Sequence, residues 1–168
     1  MSVPFNAITT INKEQPDKQC RHFFLSFLEN KGFSNLGDSE IIDEAGKFAG
    51  WDVSGTWNCN VYEFELKARR FPSNTFSDNT CERHKLEVMG EHVKEGKCRA
   101  GYIVSTFTDG VMAINNINDY YTSDYAECPK TTAFDDNSKV TKELIHYKFT
   151  DNGLYDMQTM ERITDLPF

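Results

Sequence analysis

The chain has 168 residues, 39% apolar and 13% aromatic, enough to bury a sizeable core and too apolar for disorder to be the default. Its net charge of −8 argues against the basic surface that duplex binders use, so a role on nucleic acid needs a local basic strip, a partner subunit or metal ions. No apolar run nears the roughly 20 residues of a membrane span, and residues 1–18 lack a basic segment leading into an apolar one, so neither an anchor nor a signal peptide is expected.

Residues 1–17, with Pro4 and Pro16, read as an irregular lead-in. Apolar residues Cys20, Phe23, Phe24, Phe27 and Leu28 then recur at helical spacing between Lys18 and Lys31, with Gly32 as the stop. A short strand is expected around Ile41 and Ile42. Ala49 to Val53 and Val61 to Ala68 alternate as strands about a turn-like Ser54 to Asn60, and Arg70 to Asn79 reads as a loop. Thr80 is a plausible N-cap, with Arg83 where a capping box wants Glu, for a helix that carries Leu86, Met89 and Val93 and ends near Gly96. Gly101 to Phe107, the Asp109-Gly110 turn and Val111 to Ile117 form a hairpin. Residues 118–139 read as a polar, tyrosine-bearing connection, Val140 to Phe149 as a strand, Asp151-Asn152-Gly153 as a turn and the tail as a short final element. One domain over 1–168 is expected, a mixed α/β fold whose central sheet is flanked by helices, with 118–168 as its extension.

Five cysteines (Cys20, Cys59, Cys81, Cys98, Cys128) are odd in number and lack a CxxC pair, which predicts free thiols and a cytoplasmic setting. Cys81 and His84 stand one helical turn apart, but without a second ligand pair zinc is not expected.

The chemistry concentrates on one hairpin. Along the second strand, Val61, Glu63, Glu65, Lys67 and Arg69 share a face, and Tyr62, Phe64, Leu66 and Ala68 share the other, which belongs in the core. If Asn58 and Cys59 form the tip, Asp52 opposes Glu65, Val53 opposes Phe64, Trp51 opposes Leu66, and Gly50 opposes Lys67 and leaves it room. That register places Trp51, Val53, Phe64 and Leu66 in the core and gathers Asp52, Glu65 and Lys67 outside it. Two close carboxylates repel unless a cation separates them, and Mg²⁺ suits oxygen ligands of this kind. Lys67 can then orient a water or stabilise charge on a phosphoryl transition state.

Asp52, a turn, then Glu65-Leu66-Lys67 resembles the D…(D/E)xK signature of the PD-(D/E)XK nuclease superfamily, whose fold is restriction-endonuclease-like. The likeness runs from about Cys20 to Ile117. It implies a metal-dependent deoxyribonuclease using a metal-activated water, with Asp52 and Glu65 as ligands of Mg²⁺ or Mn²⁺ and Lys67 as the catalytic lysine. Lys85 stands where the following helix often adds a catalytic residue. Trp51 replaces the nominal proline, a variable position. Two other acid-x-Lys tripeptides, Glu29-Asn30-Lys31 and Glu95-Gly96-Lys97, end helices and lack an opposing acid.

The plainer account treats Glu63, Glu65, Lys67 and Arg69 as a solvated strand face, yet gives no reason for Asp52 to oppose Glu65. Glu63 is expected to be exposed rather than a further ligand, and Arg69 and Arg70 either to touch phosphate or to form surface pairs. The four histidines are assigned no chemistry, and Tyr120, Tyr121 and Tyr125 are expected to pack under the loop rather than stack on bases. The expected partner is nucleic acid, DNA in the first place, with a homodimer or partner protein supplying binding surface. The alternative is a nuclease-fold module that binds nucleic acid or a partner protein without cutting, such as a phage or mobile-element accessory factor.

Overall fold

The structure, a computed structural model, describes residues 16–39, 50–129, 138–150 and 153–163. The strand expected at Ile41 and Ile42 and most of the Asp151-Asn152-Gly153 turn lie outside them.

Helix α1 (Pro16–Asn30) starts on a proline, whose missing N–H costs nothing in a first turn, and carries Asp17 there. It ends at Gly32, where φ is +90°, with Gly32 N–H bonded to Glu29 O and Phe33 N–H to Leu28 O. This double closure is a Schellman cap, which requires a left-handed residue. The buried Cys20, Phe23, Phe24, Phe27 and Leu28 are the stripe the periodicity predicts.

Strands β1 (Ser34–Asp38), β2 (Val53–Trp57) and β3 (Asn60–Ala68) form an antiparallel ribbon. The β2–β3 turn is Asn58-Cys59, with φ of +49° and +63°, the two left-handed residues that a tight hairpin needs. The register pairs Val53 with Phe64 as expected. The first strand of the hairpin is shifted, however: Ser54 to Trp57 is strand rather than turn, because a two-residue tip leaves those residues free to pair.

After β3 come β4 (Asp78–Glu82), a 3-10 turn (Arg83–Lys85) and helix α2 (Glu87–Lys94), then β5 (Ala100–Thr106) parallel to β3. Next are β6 (Val111–Asn116), β7 (Thr122–Pro129), β8 (Lys139–Lys148) and β9 (Leu154–Asp156). One sheet has the order β1-β2-β3-β5-β6-β9, and a second the order β4-β8-β7. The mixed α/β class is as expected.

Two expectations fail together. Thr80 caps no helix, since residues 78–82 form a strand, and the connection across 118–139 contains β7. The reason is tertiary: β8 pairs with β4 on one side and β7 on the other, and Asn79 and Cys81 turn inward. Local propensity carried no trace of that pairing.

The main sheet is covered on both faces. Toward α1, Val53, Phe64, Val104 and Met112 meet Phe23, Phe24, Phe27 and Leu28. Toward α2 and the second sheet, Ile103 meets Met89, Cys81, Ile145 and Tyr147. The charged face of β3 is therefore enclosed rather than solvated, with Glu63 at 5% and Glu65 at 7% exposure. Trp51 belongs to this second layer, not to the core of Val53, Phe64 and Leu66, because the chain bends at Asp52 and leaves the pleat.

Gly50 makes room for α2 instead of for the Lys67 ammonium. A Cβ there would stand 2.0 Å from the Cβ of Val88. Gly50→Ala is expected to cost about 1–3 kcal/mol in urea unfolding, the range of an overpacked contact. An unchanged midpoint would contradict that packing.

The second sheet carries its own electrostatic brace. His146 Nδ1 lies 3.0 Å from Asp78 Oδ2 and Nε2 lies 2.9 Å from Asp124 Oδ1. Ionised carboxylates only accept, so both ring nitrogens must donate and the ring is held as imidazolium. Burial lowers the His146 pKa, but the bonds to Asp124 and Asp78 outweigh it and leave it raised above 6.5. A raised folded value means stability present below the unfolded pKa and lost as pH climbs through the folded one. Urea midpoints are expected to fall between about pH 6 and pH 9, and the fall to shrink in His146→Gln.

Candidate functional site

Asp52 sits at the bend where β2 begins. Its N–H donates to Phe64 O at 2.9 Å, and its Oδ2 accepts the Leu66 N–H at 2.8 Å. These two bonds straddle Glu65 and hold the Asp52 carboxylate beside it, the juxtaposition that the hairpin register predicts. Lys67 joins them, its Nζ 3.2 Å from Glu65 Oε1.

Burial, followed by the negative charge of Asp52, pushes the Glu65 pKa from 4.5 to about 7, against the pull of Lys67 and Lys85. Burial disfavours the Lys67 ammonium, but neighbouring Cys81, Glu65 and Glu82 outweigh it and raise its pKa. The structure thus brings Asp52, Glu65 and Lys67 together. Lys85 is exposed on the 3-10 turn, and its charge is felt at Glu65.

Three other expectations are corrected. Glu63 is buried, its carboxylate held by His92 Nδ1 at 2.7 and 3.0 Å, because α2 lies over that part of β3. Arg69 points inward, donating to Ser105 Oγ and Asn79 Oδ1 at 3.3 Å each and to Thr80 O, and so ties the sheets together; Arg70 is exposed. Tyr120, Tyr121 and Tyr125 are 46%, 48% and 73% exposed rather than packed under a loop, because β7 is an edge strand with nothing described above it. The described cysteines are all free thiols, and three of them, Cys20, Cys81 and Cys98, are buried.

The residue that the hairpin alone did not reveal is Arg21 of α1. Its Nη1 donates to Asp52 O at 2.6 Å and to Asp38 Oδ1 at 2.9 Å, and its Nη2 reaches Asp52 Oδ1 at 3.1 Å. One guanidinium therefore fixes both the backbone and the carboxylate of Asp52, as a rigid fork of donors can. The available signal was position: Arg21 lies three residues before Phe24 and seven before Leu28, on the edge of the apolar stripe.

Among the described residues, no group of three or more His, Cys, Asp or Glu side chains is placed to hold a metal ion. The donor set is two carboxylates, which is sufficient for Mg²⁺ because that ion keeps several waters and takes one or two carboxylates plus substrate phosphate. Burial first, and then the charge of Asp52, disfavour an ionised Glu65, and a cation bound there would offset both. The site fits such an ion on both counts.

Helix, acid-bearing hairpin, second helix and parallel strand follow in the order expected from the sequence. A solved Holliday junction resolvase, Hjc from the archaeal hyperthermophile Archaeoglobus fulgidus, is similar at 10% identity and a TM-score of 0.49, over 75% of this chain and 80% of that one. No protein-family model matches the chain. No curated protein sequence matches it either. No helix among the described residues is long and apolar enough to cross a membrane.

Proposed function

We propose that the protein is a metal-dependent nuclease that hydrolyses phosphodiester bonds in DNA. The observation that carries this reading is a buried Glu65 held between the Asp52 carboxylate and the Lys67 ammonium, at the end of a strand whose partner bends to meet it. Asp52 and Glu65 would hold Mg²⁺ or Mn²⁺. When bound, such an ion supplies Lewis acidity and a nucleophilic water at neutral pH. Lys67 is placed to meet negative charge developing on the phosphoryl group, in an enclosed site where that charge is poorly screened. Lys85, exposed and with its charge felt at Glu65, would hold an incoming phosphate.

The test is nicking of supercoiled plasmid with Mg²⁺ or Mn²⁺ against a chelator control. Metal-dependent relaxation supports the reading, and its absence across both ions overturns it. The net charge of −8 is consistent with a homodimer or partner protein that enlarges the binding surface.

One contact favours the second reading, a nuclease-fold module that binds nucleic acid or a partner protein without cutting. Arg21 already supplies a cation to Asp52. A guanidinium in that role lets the hairpin close without a metal. Tight DNA binding with no turnover in either ion would select it.

A further inference from the structure

The second sheet covers Glu65 and Lys67 with the face that carries Cys81 and Ile145. Alternate residues share a face, so the register Cys81 to Ile145 and Glu143 to Tyr125 carries that face outward to Glu143 and Tyr125. Arg83, two residues beyond Cys81, reaches the same side, where its Nε lies 2.6 Å from Glu143 Oε2. Its guanidinium also lies 5.8 Å from the centre of the Tyr120 ring. Lys85, which acts on Glu65, is two residues further on. Tyr120 and Tyr125 are large rings left 46% and 73% exposed on this side of the sheet. The Glu143 carboxylate on this shelf is paired with Arg83.

We propose that this shelf (Tyr120, Arg83 and Tyr125) is a stacking platform for unpaired bases of single-stranded DNA leading into the Glu65–Lys67 site. Every base has a π-face, so exposed rings with a cation between them bind single strands with little regard to sequence. A base paired inside a duplex offers no such face. The overall charge of −8 weakens phosphate-led duplex binding, and it leaves stacking as the contact that this surface can make. This assignment rests on the nuclease reading for its direction toward the site, but the binding it predicts is independent of cleavage.

The experiment is fluorescence anisotropy of a labelled oligothymidylate of about twelve nucleotides, in chelator, with a duplex of equal length as competitor. The full chain is expected to prefer the single strand. Tyr120→Ala and Tyr125→Ala should each weaken it by roughly tenfold, while Tyr125→Trp retains it. Tyr121→Phe serves as control, because the Tyr121 hydroxyl donates to Asp78 beside His146, on the opposite face of this sheet. Equal affinity for the duplex, or unchanged binding in Tyr125→Ala, overturns the proposal. Because chelator removes divalent ions, a protein that never cuts can still pass this test, and a cutting enzyme can fail it.

Discussion

Lys67→Ala is expected to lower metal-dependent plasmid nicking by about 10²–10³-fold while the far-ultraviolet dichroism stays native, which is the usual cost of removing one preorganised electrostatic group. The size follows from where Lys67 lies. Its side chain is 24% exposed and its ammonium is 3.2 Å from Glu65, so water cannot readily replace the lost charge. The same deletion removes a cation that pulls the Glu65 carboxyl downward, so the residual activity should also show an altered pH profile. Lys67→Arg keeps the charge but changes its shape, and it should recover only part of the rate. A variant that cuts at the parental rate would remove Lys67 from the chemistry.

Arg21→Ala is expected to destabilise the fold by about 3–5 kcal/mol, the cost of breaking a largely buried pair by removing one partner. Arg21 and Asp38 have side chains only 13% and 14% exposed, and Asp52 is 26% exposed. The guanidinium links α1 to β1 and to the start of β2, so its loss takes a cation from between two acids and a donor from the Asp52 carbonyl. At about 2–4 °C per kcal/mol for a chain of this size, the melting temperature should drop by roughly 6–20 °C. Arg21→Lys should fall between, since one ammonium cannot span the same three acceptors. A drop no larger than that of an exposed substitution would show that the fork carries little.

The hairpin was the part of this molecule most legible in the sequence. Alternation along Val61 to Arg69 and the Asn58-Cys59 tip suffice to set Val53 against Phe64 and Asp52 beside Glu65, because a one-residue slip would mix apolar and charged sets. The α1 stripe was legible for the same reason, a regular period and a glycine stop. What the sequence hid is what depends on distant pairing. Asp78 to Glu82 looked like a helix start because Thr80 is a good cap, and only β8, some 65 residues later, makes it a strand. The burial of Glu63 and Glu65 was hidden with it, since the layer that encloses them is assembled from α2 and that second sheet. Arg21 was missed because an arginine on the rim of an apolar stripe normally reads as solvated.

The parallel pairing of β3 with β5 has a consequence for how this protein comes into being. Such a pairing needs a long crossover, and here the crossover itself contains β4, a strand that must wait for β8 before it has a neighbour. During synthesis the two acids and the lysine can therefore meet while the wall that dries their surroundings is still unmade. Maturation of the centre is tied to the arrival of the C-terminal third, and contacts of such long span are the slow ones to form.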